Sequence, residues 1–108
     1  MKRVISFTRK FKLLSDRNRL YILKAISNKK LCVSDIAKKT KISPTLASRN
    51  LKLLEREGLI KGIREGKNVY YELNKYELDK LVVEFYDFLN IPREAEKIPD
   101  FVKEIIKE

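Results

Sequence analysis

The sequence predicts one mainly α-helical domain with a small β-hairpin. Its length of 108 residues is that of a single domain, which we assign to residues 1–108. Apolar residues recur at helical spacing over most of the chain, and after Gly58 the spacing changes to the alternation typical of strands. We expect the core unit of this domain at about residues 13–73 and a C-terminal helical segment at about residues 74–108.

Two helices are predicted at the N-terminus. Residues 4–14 form the first, with four apolar side chains at helical spacing: Val4, Phe7, Phe11 and Leu14. Ser15 and Asp16 are residue types that begin helices, and the second helix then continues to about Asn28. A short extended run follows at residues 31–33, before the chain becomes helical again.

A pair of closely spaced helices comes next. Ser34 is expected to cap a brief helix, DIAKKT, and residues 41–43 form a tight link to a longer helix. Ser43 and Pro44 suit the N-cap and the first helical position of that longer helix, and Gly58 ends it. A two-turn helix, a three-residue turn and a longer capped helix together predict a helix-turn-helix.

The outer face of the longer helix is basic and carries no acid. Its apolar residues occupy one arc at the spacing of a core-facing stripe. The other side presents hydroxyl and basic side chains: Thr45, Ser48, Arg49, Lys52 and Arg56. Short hydroxyl side chains let the backbone approach a DNA major groove, and arginine can bind guanine through two hydrogen bonds. For this helix taken alone, a solvated charged face is the alternative explanation.

The predicted hairpin is also basic. Strands are expected at residues 59–64 and 68–73, around the loop Glu65-Gly66-Lys67. A basic hairpin directly after a helix-turn-helix is a wing, which would lie over flanking phosphates or the minor groove. The predicted element order is therefore α-α-(β)-α-α-β-β-α, a winged helix-turn-helix flanked by N- and C-terminal dimerisation helices.

Those terminal helices are the candidates for a dimer interface. Asn74 caps a helix that runs to about Leu89, and a final short apolar helix follows Pro99. A core this small cannot cover all their apolar surface, so we expect a second copy of the chain to bury part of it. The side chains assigned to this interface are Phe7, Phe11, Leu78, Leu81, Val82 and Phe85. The alternative is that both helices complete the core of one monomer.

The charge is distributed unevenly. The formal net charge is +10, yet residues 1–67 carry 19 Lys and Arg against 5 Asp and Glu, whereas residues 68–108 carry 6 against 10. This predicts that the N-terminal two-thirds face a polyanion. One cysteine excludes a disulfide framework, and no apolar run reaches the roughly 20 residues of a membrane span. We expect an intracellular, cytoplasmic and nucleoid-associated protein with no membrane partner.

Three segments resemble the ArsR-type winged-helix repressors: LLSDRNRLYILKAI, LCVSDIAKKTKISPTLASRNLKLLEREGLI and REGKNVYYEL. The resemblance covers roughly residues 13–73, with the order and spacing of the segments preserved. It implies a homodimer that binds an inverted-repeat operator in double-stranded DNA and represses transcription. It also implies that a ligand or a metal weakens the binding.

By position, the resemblance assigns base contacts to the start of the longer helix, at Ser43, Thr45, Ser48, Arg49 and Asn50. Asn50 stands where the family often has His, and its amide can pair with adenine or bond a phosphate. Pro44 stands where the family commonly has a polar residue, which removes one contact. Contacts with the DNA backbone are assigned to Lys41, Lys52 and Arg56. The wing contacts fall to Arg64, Lys67, Asn68 and Tyr70.

No metal or cofactor is expected. Metal-sensing members of the family have a box resembling ELCVCDL, where this chain has KLCVSDI with Ser34 in place of the second cysteine. Soft metalloids need two or three thiolates, and zinc usually needs four Cys, His or carboxylate ligands. The chain has one Cys and no His, so neither site can be assembled. Cys32 is expected to be a small buried residue, and disulfide pairing across a dimer is the alternative.

Other functions compete with sequence-specific repression. Catalysis is not expected, because the chain lacks His, paired thiols and a glycine-rich phosphate loop. The remaining alternatives are nonspecific DNA or RNA binding, chromosome coating, and a role as a protein-interaction module. The excess of Lys supports coating, since Lys binds phosphate without reading sequence. The alternative of base recognition is favoured by the cluster at Thr45, Ser48, Arg49 and Asn50.

Overall fold

The computed structural model describes the backbone of residues 2–92 and the side chains of residues 7–92. The described residues form α1 (Lys2–Leu14), α2 (Arg17–Ala25), β1 (Leu31–Cys32), α3 (Val33–Thr40), α4 (Pro44–Arg56), β2 (Ile60–Glu65), β3 (Asn68–Leu73) and α5 (Lys75–Phe88). This order is that of a winged helix-turn-helix, so the predicted fold class is confirmed. The helix predicted after Pro99 and the side chain of Val4 lie outside the described residues.

The helix boundaries follow local hydrogen bonds. Asp16 caps α2 by accepting from the Arg19 amide at 3.1 Å, and Asn74 caps α5 by accepting from Glu77 at 3.3 Å, both as predicted. α2 ends at Ala25, before the predicted end at Asn28. The hydroxyl of Ser27 donates to the carbonyl of Lys24, an interaction that competes with continued helix.

The start of α3 differs from the prediction. Ser34 does not cap this helix. The helix begins at Val33, two residues before the predicted start at Asp35, with Cys32 at the N-cap and no side-chain capping hydrogen bond to the backbone. Val33 therefore belongs to α3 and not to the extended run predicted at residues 31–33. β1 keeps Leu31 and Cys32, which pair with Tyr71 and Tyr70 of β3. The boundary is set by this pairing with a distant strand rather than by the capping preference of Ser34.

The strands form a three-stranded antiparallel sheet in the order β1-β3-β2. β2 and β3 pair without interruption as far as Glu65 and Asn68, so the turn contains two residues rather than the predicted three. Gly66, the first of them, has φ +63°, a left-handed conformation that glycine adopts without steric penalty. The hairpin therefore projects as a rigid ladder almost to its tip.

The core lies between the helices and the sheet. Seven fully buried apolar side chains form it: Ile22, Ile26, Ile36, Leu51, Leu54, Leu59 and Ile60. Leu51 and Leu54, with the buried Ala47, confirm the inward arc that helical spacing predicts for α4. Burial of this arc leaves the opposite side of α4 facing solvent.

α1 packs against α5 through an aromatic cluster. The ring centroid of Phe7 lies 5.3 to 5.7 Å from those of Phe11, Phe85 and Phe88, and Phe11 lies 5.1 Å from Phe85. The rings meet edge to face, which is a favourable aromatic arrangement. An ion pair between Lys10 and Glu77, at 3.6 Å, joins the same two helices. α1 and α5 therefore form one layer within the monomer.

This packing divides the side chains that were assigned to the dimer interface. Phe7 and Leu81 are only 8% and 3% exposed, and Leu78 packs against the core. These three side chains pack within the monomer, so their assignment to the dimer interface is corrected. Phe11, Val82 and Phe85 remain 36 to 40% exposed. Beyond the assigned side chains, Tyr86, Phe88, Leu89 and Ile91 are also exposed in this region, and Val83 is exposed about 100° further round α5 from Val82.

Candidate nucleic-acid interface

The start of α4 is determined by its own sequence. Ser43 has an extended backbone, and its Oγ accepts a hydrogen bond from the Leu46 amide at 3.1 Å. Pro44 occupies the first turn, where the missing N–H costs nothing. The hydroxyl of Ser43 can still donate its own proton while it accepts this bond. The cap thus keeps a hydrogen-bond donor available at the exposed N-terminus of the helix.

Replacement of Ser43 by alanine is expected to lower the free energy of unfolding by about 1 kcal/mol, because the Leu46 amide loses its acceptor. Ser43→Asp is the matched control, since its carboxylate restores the acceptor and should retain wild-type stability. Urea denaturation followed by circular dichroism measures both variants. Equal stability of Ser43→Ala and the wild type would contradict the capping role.

The outer face of α4 is open to solvent. Thr45, Arg49, Lys52 and Arg56 are exposed, and Ser48 is half-buried. Five residues line a shallow groove of about 520 Å³ along this face: Pro44, Thr45, Ser48, Arg49 and Lys52. Within residues 7–92, neither Arg49 nor Lys52 forms an ion pair, and no carboxylate lines the groove. Both cations are therefore available to a ligand.

Asn50 does not lie on this face. Its side chain is 4% exposed, and its Oδ1 accepts a hydrogen bond from Arg19 Nε at 3.0 Å. Arg19 Nη1 also donates to the carbonyl of Leu13 at 3.1 Å, so one guanidinium joins α1, α2 and α4. The prediction that Asn50 contacts bases is corrected, because its amide is buried and already bonded. Its spacing from Ala47 and Leu54 is the sequence signal that places it on the inward arc.

The wing tip is exposed and basic. Arg64, Lys67 and Asn68 are all exposed at the end of the hairpin, where the sequence analysis placed them. Tyr70 lies further from the tip and is half-buried, opposite Cys32 on one side and Ile63 on the other. The structure thus brings three of the four wing residues to the tip, with Tyr70 at the base.

A lysine that the sequence analysis missed connects the wing to β1. The Lys30 ammonium forms an ion pair with Glu65 and lies 5.9 Å from the centre of the Tyr70 ring. Its hydrogen bond to Glu65 raises the pKa of Lys30 above the ordinary value of 10.5, although burial acts in the opposite direction. Because Lys30 and Glu65 are exposed, this pair orients the wing more than it stabilises the fold.

A second contact joins the wing to α4. Glu55 Oε2 accepts a hydrogen bond from the Gly62 amide at 3.1 Å, which turns this acid away from the outer face of the helix. A Cβ at Gly62 would lie 2.9 Å from Glu55 Oε2 and 3.2 Å from the Tyr71 ring, so a larger residue at this position would require the Glu55 side chain to shift. Burial raises the pKa of Tyr71, and the nearby Glu55 charge adds to the effect.

Cys32 is half-buried, which corrects the expectation of a fully buried residue. Its Sγ lies 3.3 Å from Ser34 Oγ and donates to Asp35 Oδ2 at 3.3 Å. Among residues 7–92, no group of three or more His, Cys, Asp or Glu side chains could hold a metal ion. In the same part of the chain, no helix has the length and apolar character needed to span a membrane.

Comparison with known proteins identifies similar sequences. The family model for bacterial regulatory proteins of the arsR family matches residues 16–61. The transcriptional repressor SmtB homolog of Synechocystis sp. is 37% identical over 79 residues, which are 73% of this chain and 60% of that protein. The transcriptional repressor SdpR of Bacillus subtilis is 31% identical over 80 residues, which are 74% of this chain and 89% of that protein.

A solved structure with the same fold comes from Mycobacterium bovis. It is the homodimeric winged helix-turn-helix DNA-binding domain of Mb0332, described as a possible ArsR-family transcriptional regulator. It is 29% identical, with a TM-score of 0.66, and the alignment covers 81% of each chain. This chain spans 60% of the length of the SmtB homolog, so it matches only part of that protein.

Proposed function

Since this chain belongs to the arsR family of bacterial regulatory proteins, we propose that it is a sequence-specific DNA-binding repressor that acts as a homodimer. One observation carries the DNA-binding part: the capped helix α4 exposes a groove with Thr45, Arg49 and Lys52 and without any acid. Two relatives support the rest. SdpR is named a transcriptional repressor, and the domain of Mb0332 is homodimeric.

In the proposed complex, α4 enters the major groove. The short side chains of Thr45 and Ser48 allow close approach, and Arg49 binds a guanine through two hydrogen bonds. The N-cap hydroxyl of Ser43 adds a donor at the helix start. The cations Lys41, Lys52 and Arg56 bind phosphates, which position the helix without reading sequence. All of these side chains except Ser48 are exposed, and Ser48 is half-buried at the edge of the groove.

The wing gives a second contact in this complex. Arg64, Lys67 and Asn68 at its tip would lie over the flanking phosphates or the minor groove. The contacts of Glu55 with Gly62 and of Lys30 with Glu65 hold the hairpin against the rest of the domain. A repressor with these contacts would block transcription by occupying its operator, in the cytoplasm and on the nucleoid.

The dimer is proposed to form through α1 and α5, whose exposed apolar side chains include Phe11, Val82 and Phe85. Replacement of Val82 by lysine is expected to raise the dimer dissociation constant by about 100-fold, because the interface would bury an unpaired charge. Val83→Lys is the matched control: Val83 is similarly exposed but lies about 100° further round the helix. Sedimentation equilibrium measures both variants. A dissociation constant unchanged by Val82→Lys would contradict this interface.

Selection of binding sites from random duplex DNA tests the proposed function. The experiment is made at about 0.15 M salt, where exposed charges are strongly screened. We expect an inverted repeat whose half-sites are about one helical turn apart, since a two-fold dimer presents two copies of α4. Absence of any enriched sequence, with binding that collapses as salt rises, would instead indicate a coating protein.

A further inference from the structure

A cavity of about 480 Å³ opens where the C-terminal ends of α2 and α3 meet. Its lining includes the three lysines Lys24, Lys39 and Lys41, together with Tyr21 and Asn28. No carboxylate lines it. The volume falls within the usual range for small-molecule sites. The cavity is separate from the groove on the outer face of α4, with which it shares no lining residue.

The three lysines of this cavity carry more positive charge than the negative ends of the two helix dipoles can offset. Lys24 and Lys39 lie in the last turns of α2 and α3, and Lys41 follows α3 in a left-handed conformation with φ 61°. A helix C-terminus carries about half a negative charge, so two of them offset about one of the three positive charges. About two positive charges therefore remain after the helix dipoles are taken into account.

No acid of the neighbouring helices neutralises this remainder. Asp16 and Asp35 lie at the opposite, N-terminal ends of α2 and α3. In the part of the chain that the structure describes, none of the three lysines forms an ion pair. A phosphate monoester carries about 1.5 to 2 negative charges near neutral pH, which matches the remaining positive charge.

We propose that this cavity binds a phosphate group through Lys24, Lys39 and Lys41. Tyr21 is 52% exposed at its edge, where its ring can pack against the group that carries the phosphate. The phosphate belongs either to a small phosphorylated aromatic molecule or to the DNA backbone beside a half-site. Lys41 stands two residues before the N-cap of α4. If the proposed function holds, a free phosphate bound there weakens operator binding by adding negative charge near the DNA.

Phenyl phosphate tests the small-molecule source. Titration into the protein, followed by amide NMR shifts, is expected to move the signals of Tyr21, Lys24 and Lys41. Lys24→Gln and Lys39→Gln are each expected to weaken this binding by about fivefold, since each removes one charge near the phosphate. Lys38→Gln is the matched control, because Lys38 is exposed on the same helix and does not line the cavity.

The salt dependence of DNA binding tests the other source. If the DNA backbone fills the cavity, Lys24→Gln lowers the slope of log K against log salt by about 0.9, and duplex DNA displaces phenyl phosphate. If a free molecule fills it, phenyl phosphate binding falls in the variant while the slope stays constant. The proposal is overturned if neither phenyl phosphate nor inorganic phosphate shifts these signals and both variants keep the wild-type slope. The phosphate titration contains no DNA, so its outcome is independent of the proposed function.

Discussion

Replacement of Arg49 by alanine is expected to weaken binding to the selected operator by about 10- to 100-fold, while binding to unrelated duplex DNA changes little. Arg49 is exposed in the groove of α4 and forms no ion pair within the described residues, so its guanidinium is free to bind a guanine. Fluorescence anisotropy with the operator and with a scrambled duplex of the same length measures the two affinities.

Lys67→Ala provides the control for this experiment, because it removes the same charge from the exposed wing tip. Lys67→Ala is expected to weaken binding to both duplexes equally and to lower the slope of log K against log salt by about 0.9. An Arg49→Ala variant that behaved in the same way, losing affinity for both duplexes equally, would show that Arg49 contacts only phosphate. The assignment of α4 as the recognition helix would then fail.

Replacement of Asn50 by alanine is expected to lower the free energy of unfolding by about 1 to 3 kcal/mol. The Arg19 guanidinium would lose an acceptor at a buried position, and the joint between α1, α2 and α4 would be weakened. A base-contacting residue on the surface would give the opposite result, with lower DNA affinity and unchanged stability. Thermal and urea denaturation distinguish the two.

Ser48→Ala is the control for Asn50, since Ser48 lies on the same helix at the edge of the outer groove. It should change stability by no more than about 0.5 kcal/mol. A double-mutant cycle with Arg19→Ala isolates the hydrogen bond, and we expect a coupling of about 1 kcal/mol or more. Additive effects of the two substitutions would contradict a direct interaction between Arg19 and Asn50.

Features with a local cause could be predicted from the sequence. Ser43, Pro44 and Asn74 act through hydrogen bonds or backbone preferences within one helical turn, and they mark helix starts in the structure as predicted. The inward arc of α4 follows from helical geometry alone. The outward position of Arg49 follows from the same geometry, because the core occupies the other side of the helix.

Features that depend on distant partners could not be predicted in this way. Ser34 is a good capping residue, yet α3 starts earlier because β1 pairs with β3, which lies some forty residues further along the chain. The Lys30–Glu65 pair joins residues 35 positions apart, and spacing does not reveal it. Phe7 likewise packs against Phe85, a distant residue, and is therefore buried within the monomer and not exposed at the predicted interface.

Asn50 illustrates how a resemblance can override a correct pattern. Its helical spacing places it beside Ala47 and Leu54, but the family position suggested a DNA contact. Arg19, the partner that makes burial of an amide acceptable, lies 31 residues earlier on another helix. A buried polar side chain is tolerated when it is hydrogen-bonded, so the inward position required a partner that the sequence alone did not identify.

Guanine methylation interference on the selected operator is the most direct test of sequence recognition by α4, because a methyl group at N7 blocks the atom that arginine binds. We expect the interfering guanines to fall into two groups, one in each half-site and about one helical turn apart. We also expect this pattern to disappear when Arg49→Ala is used. Interference that shows no such grouping, or that persists unchanged in Arg49→Ala, would contradict the proposed recognition of DNA by α4.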